Sequence, residues 1–190
     1  MEPRHKTLPV VFLAFANAHE GPAGYLRHLA EEERQVRGAL EEAVRDGLCE
    51  LVERVNCTAE DIFRVFQNPE YHNRIAIFHY SGHADGYRLL LESRDGGTAI
   101  ADAGGLAAFL RLQEGLHLVF LNGCSTSEQA RALVDVGVRD GKQAQGTVSV
   151  RVVITTSQDI VDEVARDVAV MFYGQIAQGV TCLLYTSPSP

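Results

Sequence analysis

The chain has 190 residues, with 17 Lys plus Arg against 25 Asp plus Glu and a formal net charge of −8. At roughly 150 residues per domain this is one folding unit, or one with an extension, and 46% hydrophobic against 22% charged residues excludes a disordered chain. The acidic balance excludes a basic stripe able to displace counterions from nucleic acid, and the longest apolar run, about seven residues at 10–16, is far short of the ~20 that a membrane helix needs.

Strand and helix patterns alternate along the chain. Residues 8–15 read as a first strand, with Pro9 tolerated near its start. Leu26, Leu29, Val36, Leu40 and Val44 recur at helical spacing, Glu33–Arg37 and Glu41–Arg45 add favourably directed pairs, and Gly47 closes this helix. Residues 48–55 form the second strand. Thr58 caps a second helix with Glu60 and Asp61 in its first turn, and Asn68-Pro69 ends it. The third strand is 74–80, where Ile75-Ala76-Ile77-Phe78 is apolar on both faces, as in a sheet covered on both sides. A hairpin follows, with arms at 87–91 and 98–100 and a turn at Asp95-Gly96-Gly97. Then come a helix at 104–114, a fourth strand at 116–121, a helix at 125–136, a long polar loop at 139–146 and a fifth strand at 148–155. A last helix spans 159–177, with Val161, Val164, Val168, Phe172 and Ile176 on one face. This alternation predicts an α/β fold, a doubly wound and mostly parallel sheet of order 2-1-3-4-5 with helices on both faces.

The four cysteines, Cys49, Cys57, Cys124 and Cys182, show no CxxC pairing, so neither a zinc site nor a disulfide scaffold is expected, and no metal or cofactor is called for. Sparse thiols fit a reduced, cytoplasmic protein. Arg4 and Lys6 before an apolar run ending at Ala16-Asn17-Ala18 imitate a secretory signal, but a buried strand is the better reading, because its removal would leave the next helix and sheet without a first partner. Residues 181–190 have no helical or strand period and resemble a translated sequencing-adapter tail. The domain is therefore expected over 1–180, with an unstructured, non-native tail after it and a natural gene that continues.

In open parallel sheets ligands bind beyond the carboxyl ends of the strands. Two exits carry reactive groups. After strand 3 the chain reads His79-Tyr80-Ser81-Gly82-His83-Ala84-Asp85, with His79 inside the strand as a core histidine and His83 at the exit. After strand 4 it reads Asn122-Gly123-Cys124-Ser125, where Ser125 and Glu128 form a capping box, so that Cys124 stands ahead of a helix N-terminus that favours a thiolate. No GxxxxGK[ST] and no GxGxxG follows strand 1, which excludes the common phosphate and dinucleotide folds. Neighbouring strands lie about 4.8 Å apart, so an imidazole base and a sulfur nucleophile can meet across these exits. Backbone N–H groups near Gly82, Ala84 and Gly123 supply an oxyanion hole or line the cleft, with Ser81, Asn122 and Ser157 as further lining residues.

The segments HYSGH at 79–83 and LVFLNGCSTS at 118–127 resemble the CHAT domain, a branch of the caspase-like (clan CD) cysteine peptidases that includes caspases, separase and gingipains. The flanking segments LAFANAHEGPAGYLRHLAEEE and VVITTSQDIVDEVARDVAVMFY stand in the family's order. The resemblance implies a caspase-like three-layer sandwich, a catalytic histidine at His83 and a nucleophile at Cys124, and cleavage of protein or peptide substrates through a thioester. It also implies a bacterial stress, defence or signalling setting, with a repeat-containing or sensor partner. Family members often have Gly after the histidine, where this chain has Ala84, and the 139–146 loop is expanded, which makes it a candidate activation switch. Such peptidases commonly select the residue before the scissile bond by charge. Asp85 and Asp159 would then favour a basic residue, the alternatives being a solvated loop carboxylate and a helix cap. The rival reading is a catalytically silent caspase-like scaffold or sensor module.

Overall fold

The architecture is that of a computed structural model that describes residues 8–17, 25–85, 88–95, 97–124, 126, 130, 131, 133, 150–155 and 161–178. The expected 139–146 loop, the Ser125/Glu128 capping box, Ser157, Asp159, Cys182 and the 181–190 tail lie outside the described residues. In chain order the elements are β1 (Val10–Ala16), α1 (Leu29–Arg45), β2 (Glu50–Arg54), α2 (Ala59–Gln67), β3 (Ile75–Gly82), β4 (Ala84–Asp85), β5 (Arg88–Glu92), β6 (Thr98–Asp102), α3 (Ala103–Arg111), β7 (Leu118–Asn122), β8 (Val152–Thr155) and α4 (Asp162–Ala177). Five strands form a parallel sheet of order β2-β1-β3-β7-β8, which is the order the sequence predicts. A second, antiparallel sheet of order β4-β5-β6 follows β3 directly.

The central strands β1, β3 and β7 form on mainly apolar runs, because the middle of a sheet covered on both faces is buried, whereas the edge strands β2 and β8 are only partly buried. All seven residues of β1 are buried. Val10, Phe12, Ala14, Phe78, Tyr80, Val119 and Leu121 pack on one face against Ile62, Val65 and Phe66 of α2, Leu110 of α3 and Leu89 of β5. Val11, Leu13, Phe15 and Phe120 pack on the other against Leu29, Val36 and Leu40 of α1 and Ala169 and Tyr173 of α4. Each such large side chain stabilises the fold by about 1.5–3 kcal/mol on burial. The result is three layers, with the parallel sheet in the middle.

Local signals set the ends of the helices. Thr58 and Asp61 form a reciprocal capping box at α2, the Thr58 hydroxyl accepting from Asp61 N at 3.1 Å and Asp61 Oδ2 accepting from Thr58 N at 3.0 Å. Gly47 ends α1 in the left-handed region at φ +69, and Leu48 N then donates to Ala43 O at 2.9 Å.

Two sequence expectations are corrected. The face of the last helix assigned to Val161, Val164 and Val168 is open to solvent, with exposures of 70%, 50% and 44%. The buried face is Ala165, Ala169 and Tyr173, because small residues let α4 lie close along α1. The third strand runs to Gly82 rather than Tyr80, since Ser81 and Gly82 keep pairing with Phe15 and Ala16 of β1. No helix among the described residues is long and apolar enough to cross a membrane.

Candidate active site

His83 occupies the single position between β3 and β4, where the chain leaves the parallel sheet and enters the small one. Its backbone is held from both sides. Leu90 N of β5 donates to His83 O at 2.9 Å, and the Tyr80 hydroxyl lies 2.7 Å from both His83 O and Leu90 O. Tyr80 is fully buried, and burial pushes its ionisation up, so it remains a protonated donor.

Cys124 follows β7 by one residue, and Gly123 lies between. Beyond it, Thr126 Oγ1 donates to Leu121 O at 3.1 Å, and Ala130 N donates to Thr126 O at 3.2 Å. His83 and Cys124 are both half-buried.

The strand register brings the two exits together. Ser81 of β3 pairs with Asn122 of β7 as a direct cross-strand partner. That is the last paired position between the two strands, and His83 and Cys124 each stand two residues beyond it. Two glycines allow the approach. A Cβ on Gly123 would fall 2.6 Å from Gly82 O and 3.0 Å from Ala84 Cβ, so the residue before Cys124 touches both neighbours of His83. A Cβ on Gly82 would fall 2.5 Å from Ala16 O and 2.7 Å from the Tyr80 hydroxyl. Gly82, Ala84 and Gly123 therefore meet at one point of the rim.

The other expected residues fall differently. His79 is a core histidine with no exposure, its ring packed by Phe120 at 4.9 Å, Tyr173 at 5.5 Å and Phe15 at 5.7 Å. Ser81 and Asn122 do not line a cleft. They are 2% and 3% exposed and bond to Glu32 beneath the rim. Asp85 pairs through its backbone with Arg88 in the small sheet.

A residue that sequence reasoning missed is Glu32, which is 1% exposed. Its signal was its position. Leu29, Glu32, Val36, Leu40 and Ala43 make up the buried stripe of α1, so Glu32 stands where an apolar residue belongs. A second missed feature is a recess of about 180 Å³ on the same rim, beyond β1, lined by Phe15, Asn17, Tyr25, Leu29, Glu33 and Val55. Asn17 helps to shape it by exchanging two hydrogen bonds with the Leu26 backbone, each 3.0 Å. Among the described residues, no group of three or more His, Cys, Asp or Glu side chains converges as metal ligands would.

No family model matches this chain. No curated protein matches it either. Its fold is similar to that of a secreted C11 cysteine protease from Bacteroides thetaiotaomicron, solved in complex with an irreversible peptide inhibitor, with a TM-score of 0.56 and 11% identity over 93% of this chain and 55% of that one. This chain thus spans about half the length of that protease. Two weaker likenesses, too distant to carry an argument, are to the Drosophila initiator caspase Dronc (TM-score 0.43, 11% identity, 66% of this chain and 52% of that one) and an NAD(P)H:quinone oxidoreductase from Methanothermobacter marburgensis (0.38, 12%, 93% and 98%). The likeness to the C11 protease is one of fold, and it agrees with the three-layer α/β sandwich expected from the sequence.

Proposed function

We propose that this chain is a cysteine endopeptidase of the caspase-like CHAT type, acting on protein or peptide substrates through Cys124 and His83. The observation that carries the reading is the contact of Gly123 with Gly82 and Ala84, which brackets His83 against the residue preceding Cys124. The His83 imidazole takes the thiol proton, and the sulfur attacks the scissile carbonyl carbon. Backbone N–H groups of the glycine-lined rim stabilise the oxyanion. The C–N bond breaks as the imidazolium protonates the leaving amine. Water, deprotonated by the same imidazole, then hydrolyses the thioester and restores the thiol. The domain over 1–180, the cytoplasmic setting and a repeat-containing or sensor partner belong to this proposal.

Alkylation of the thiols against pH, mapped to each cysteine by peptide mass spectrometry, tests the reading. Cys57 makes a sound internal reference, since it is fully buried, and burial, helped by the nearby Asp61 charge, pushes it up to about 12. Burial also raises Cys49. Cys124 is expected to label fast near neutral pH, and to slow in His83→Ala. Equal, slow labelling of Cys124 in both proteins would defeat the peptidase reading and leave a scaffold. A peptide-library assay with Cys124→Ala as control then reads substrate preference.

A further inference from the structure

Under the rim, between the parallel sheet and the α1–α4 layer, lies a cluster of buried polar side chains that the proposed chemistry does not use. Glu32 Oε2 accepts from the Ser81 hydroxyl at 2.9 Å, and Glu32 Oε1 accepts from the Asn122 amide at 2.8 Å. Asn122 Nδ2 also donates to Ala165 O of α4 at 3.0 Å. His79 Nε2 stands 3.3 Å from Glu32 Oε1. Among the described residues the buried Tyr173 hydroxyl has no hydrogen-bond partner, and burial, together with the Glu32 charge, raises its ionisation.

A carboxyl group buried in an apolar layer is costly, and an aliphatic side chain at that point of the α1 stripe would pack more favourably. What the carboxyl adds is geometric definition, because each of its oxygens accepts a hydrogen bond from a different strand, which admits few arrangements. Here the definition falls on two particular residues. Ser81 and Asn122 are the last paired residues between β3 and β7. Each stands two positions before a member of the proposed dyad. One side chain on α1 therefore ties together both strand ends from which His83 and Cys124 depart, and the Asn122 amide extends the tie to α4.

We propose that Glu32 is a positioning residue for the dyad, setting the reach between the Cys124 sulfur and the His83 imidazole without touching substrate. The proposal rests on the Cys124–His83 reading and adds to it how the pair is held.

The test is the pH profile of Cys124 alkylation in the full chain. In Glu32→Ala the rate at pH 7 is expected to fall about tenfold or more, since small misplacements of reacting groups carry large kinetic penalties. The midpoint of the profile should move to that of His83→Ala. Glu32→Gln should stay within roughly threefold of wild type, because its oxygen still accepts from Asn122 and its amide can donate to the Ser81 oxygen. Leu40→Ala, in the same helix layer and 2% exposed, should lower the melting temperature without moving the midpoint. Should Glu32→Ala not fold, Ser81→Ala and Asn122→Ala carry the same test, each expected to shift the midpoint part of the way. A wild-type profile indifferent to His83→Ala would overturn both the peptidase reading and the role of Glu32. A His83-dependent wild-type profile left unmoved in Glu32→Ala, or in both single-strand variants, would overturn the role of Glu32 alone. A midpoint shift of equal size in Leu40→Ala would also overturn it, since loss of stability would then explain the effect.

Discussion

Gly123→Ala is the most direct perturbation of the rim. The new methyl carbon would stand 2.6 Å from Gly82 O and 3.0 Å from Ala84 Cβ. An ordinary carbon-to-oxygen contact is about 3.3 Å or longer, so one strand must retreat by about 0.7 Å. The obstructing oxygen belongs to the backbone of β3, which pairs with β1 up to the Gly82–Ala16 position, so no side-chain rotation relieves the clash. Overpacking of this kind costs about 1–3 kcal/mol, and in a chain of this length each kcal/mol lowers the melting point by about 2–4 °C.

The same displacement separates the two exits. A 1 Å misplacement of reacting groups can cost roughly 10²-fold in rate, so a retreat of about 0.7 Å predicts a loss of at least about tenfold in Cys124 labelling at neutral pH. Thermal unfolding by circular dichroism and alkylation followed by mass spectrometry measure the two effects. Gly38→Ala is the control. It lies exposed in α1, with nothing within 4 Å of an added Cβ, and should gain about 1 kcal/mol from helix propensity alone with unchanged labelling. If Gly123→Ala melts at the wild-type temperature and labels at the wild-type rate, the close approach of the two strand exits is not what organises this rim.

Three further outcomes follow from contacts elsewhere. Tyr80→Phe removes the hydroxyl shared by His83 O and Leu90 O; it should cost about 1–3 kcal/mol in a denaturant titration and slow Cys124 labelling, because the His83 backbone loses one of its holds. Glu53 is raised to about 7 by burial and then by the Glu33 charge. The native state therefore binds more protons at this site than the unfolded chain does between about pH 4.5 and 7, and this contribution to stability falls as pH rises through that window. Glu53→Gln should flatten the decline and gain about 1 kcal/mol at pH 8, an amount kept small by solvent screening and by Arg37, which stands 3.5 Å away. Asp102 caps α3 by accepting from Gly104 N at 2.9 Å and Gly105 N at 3.2 Å; Asp102→Ala should lower stability by about 1 kcal/mol and leave Cys124 labelling unchanged.

What the sequence made legible was whatever a single period could carry. The central parallel strands showed as mainly apolar runs, and the strand order followed from the alternation with helices. The ends of β3 were harder to read, since Ser81-Gly82 has the composition of a turn and only its partners Phe15 and Ala16 make it strand. The two-residue β4 was invisible, because Ala84 and Asp85 acquire strand geometry from Leu89 and Arg88. The α4 stripe misled because its valines match a core pattern, whereas close packing on α1 selected Ala165 and Ala169. Glu32 lay in the acidic run 31–33, which reads as a solvated face; its place on the apolar stripe was the sole clue, and its partners on β3 and β7 are far away in sequence.

The two halves of the proposed dyad are held by different parts of the fold. His83 is gripped upstream by β3 and downstream by the small sheet, through Leu90 N and the Tyr80 hydroxyl. Cys124 is gripped upstream by β7 and downstream by Thr126, whose hydroxyl donates to Leu121 O. A change at Leu90 therefore acts first on the histidine, and a change at Thr126 first on the cysteine. Gly123 and Glu32 differ from these in touching both exits, the first by backbone contact at the rim and the second by hydrogen bonds beneath it. Residues that constrain one shared geometry do not act independently. Once Gly123→Ala has forced the strands apart, little registration is left for Glu32 to hold, and the double variant should lose less reactivity than the product of the two single losses. Gly123→Ala combined with Asp102→Ala, which caps α3 from the outer strand of the small sheet, should instead show stability losses that add.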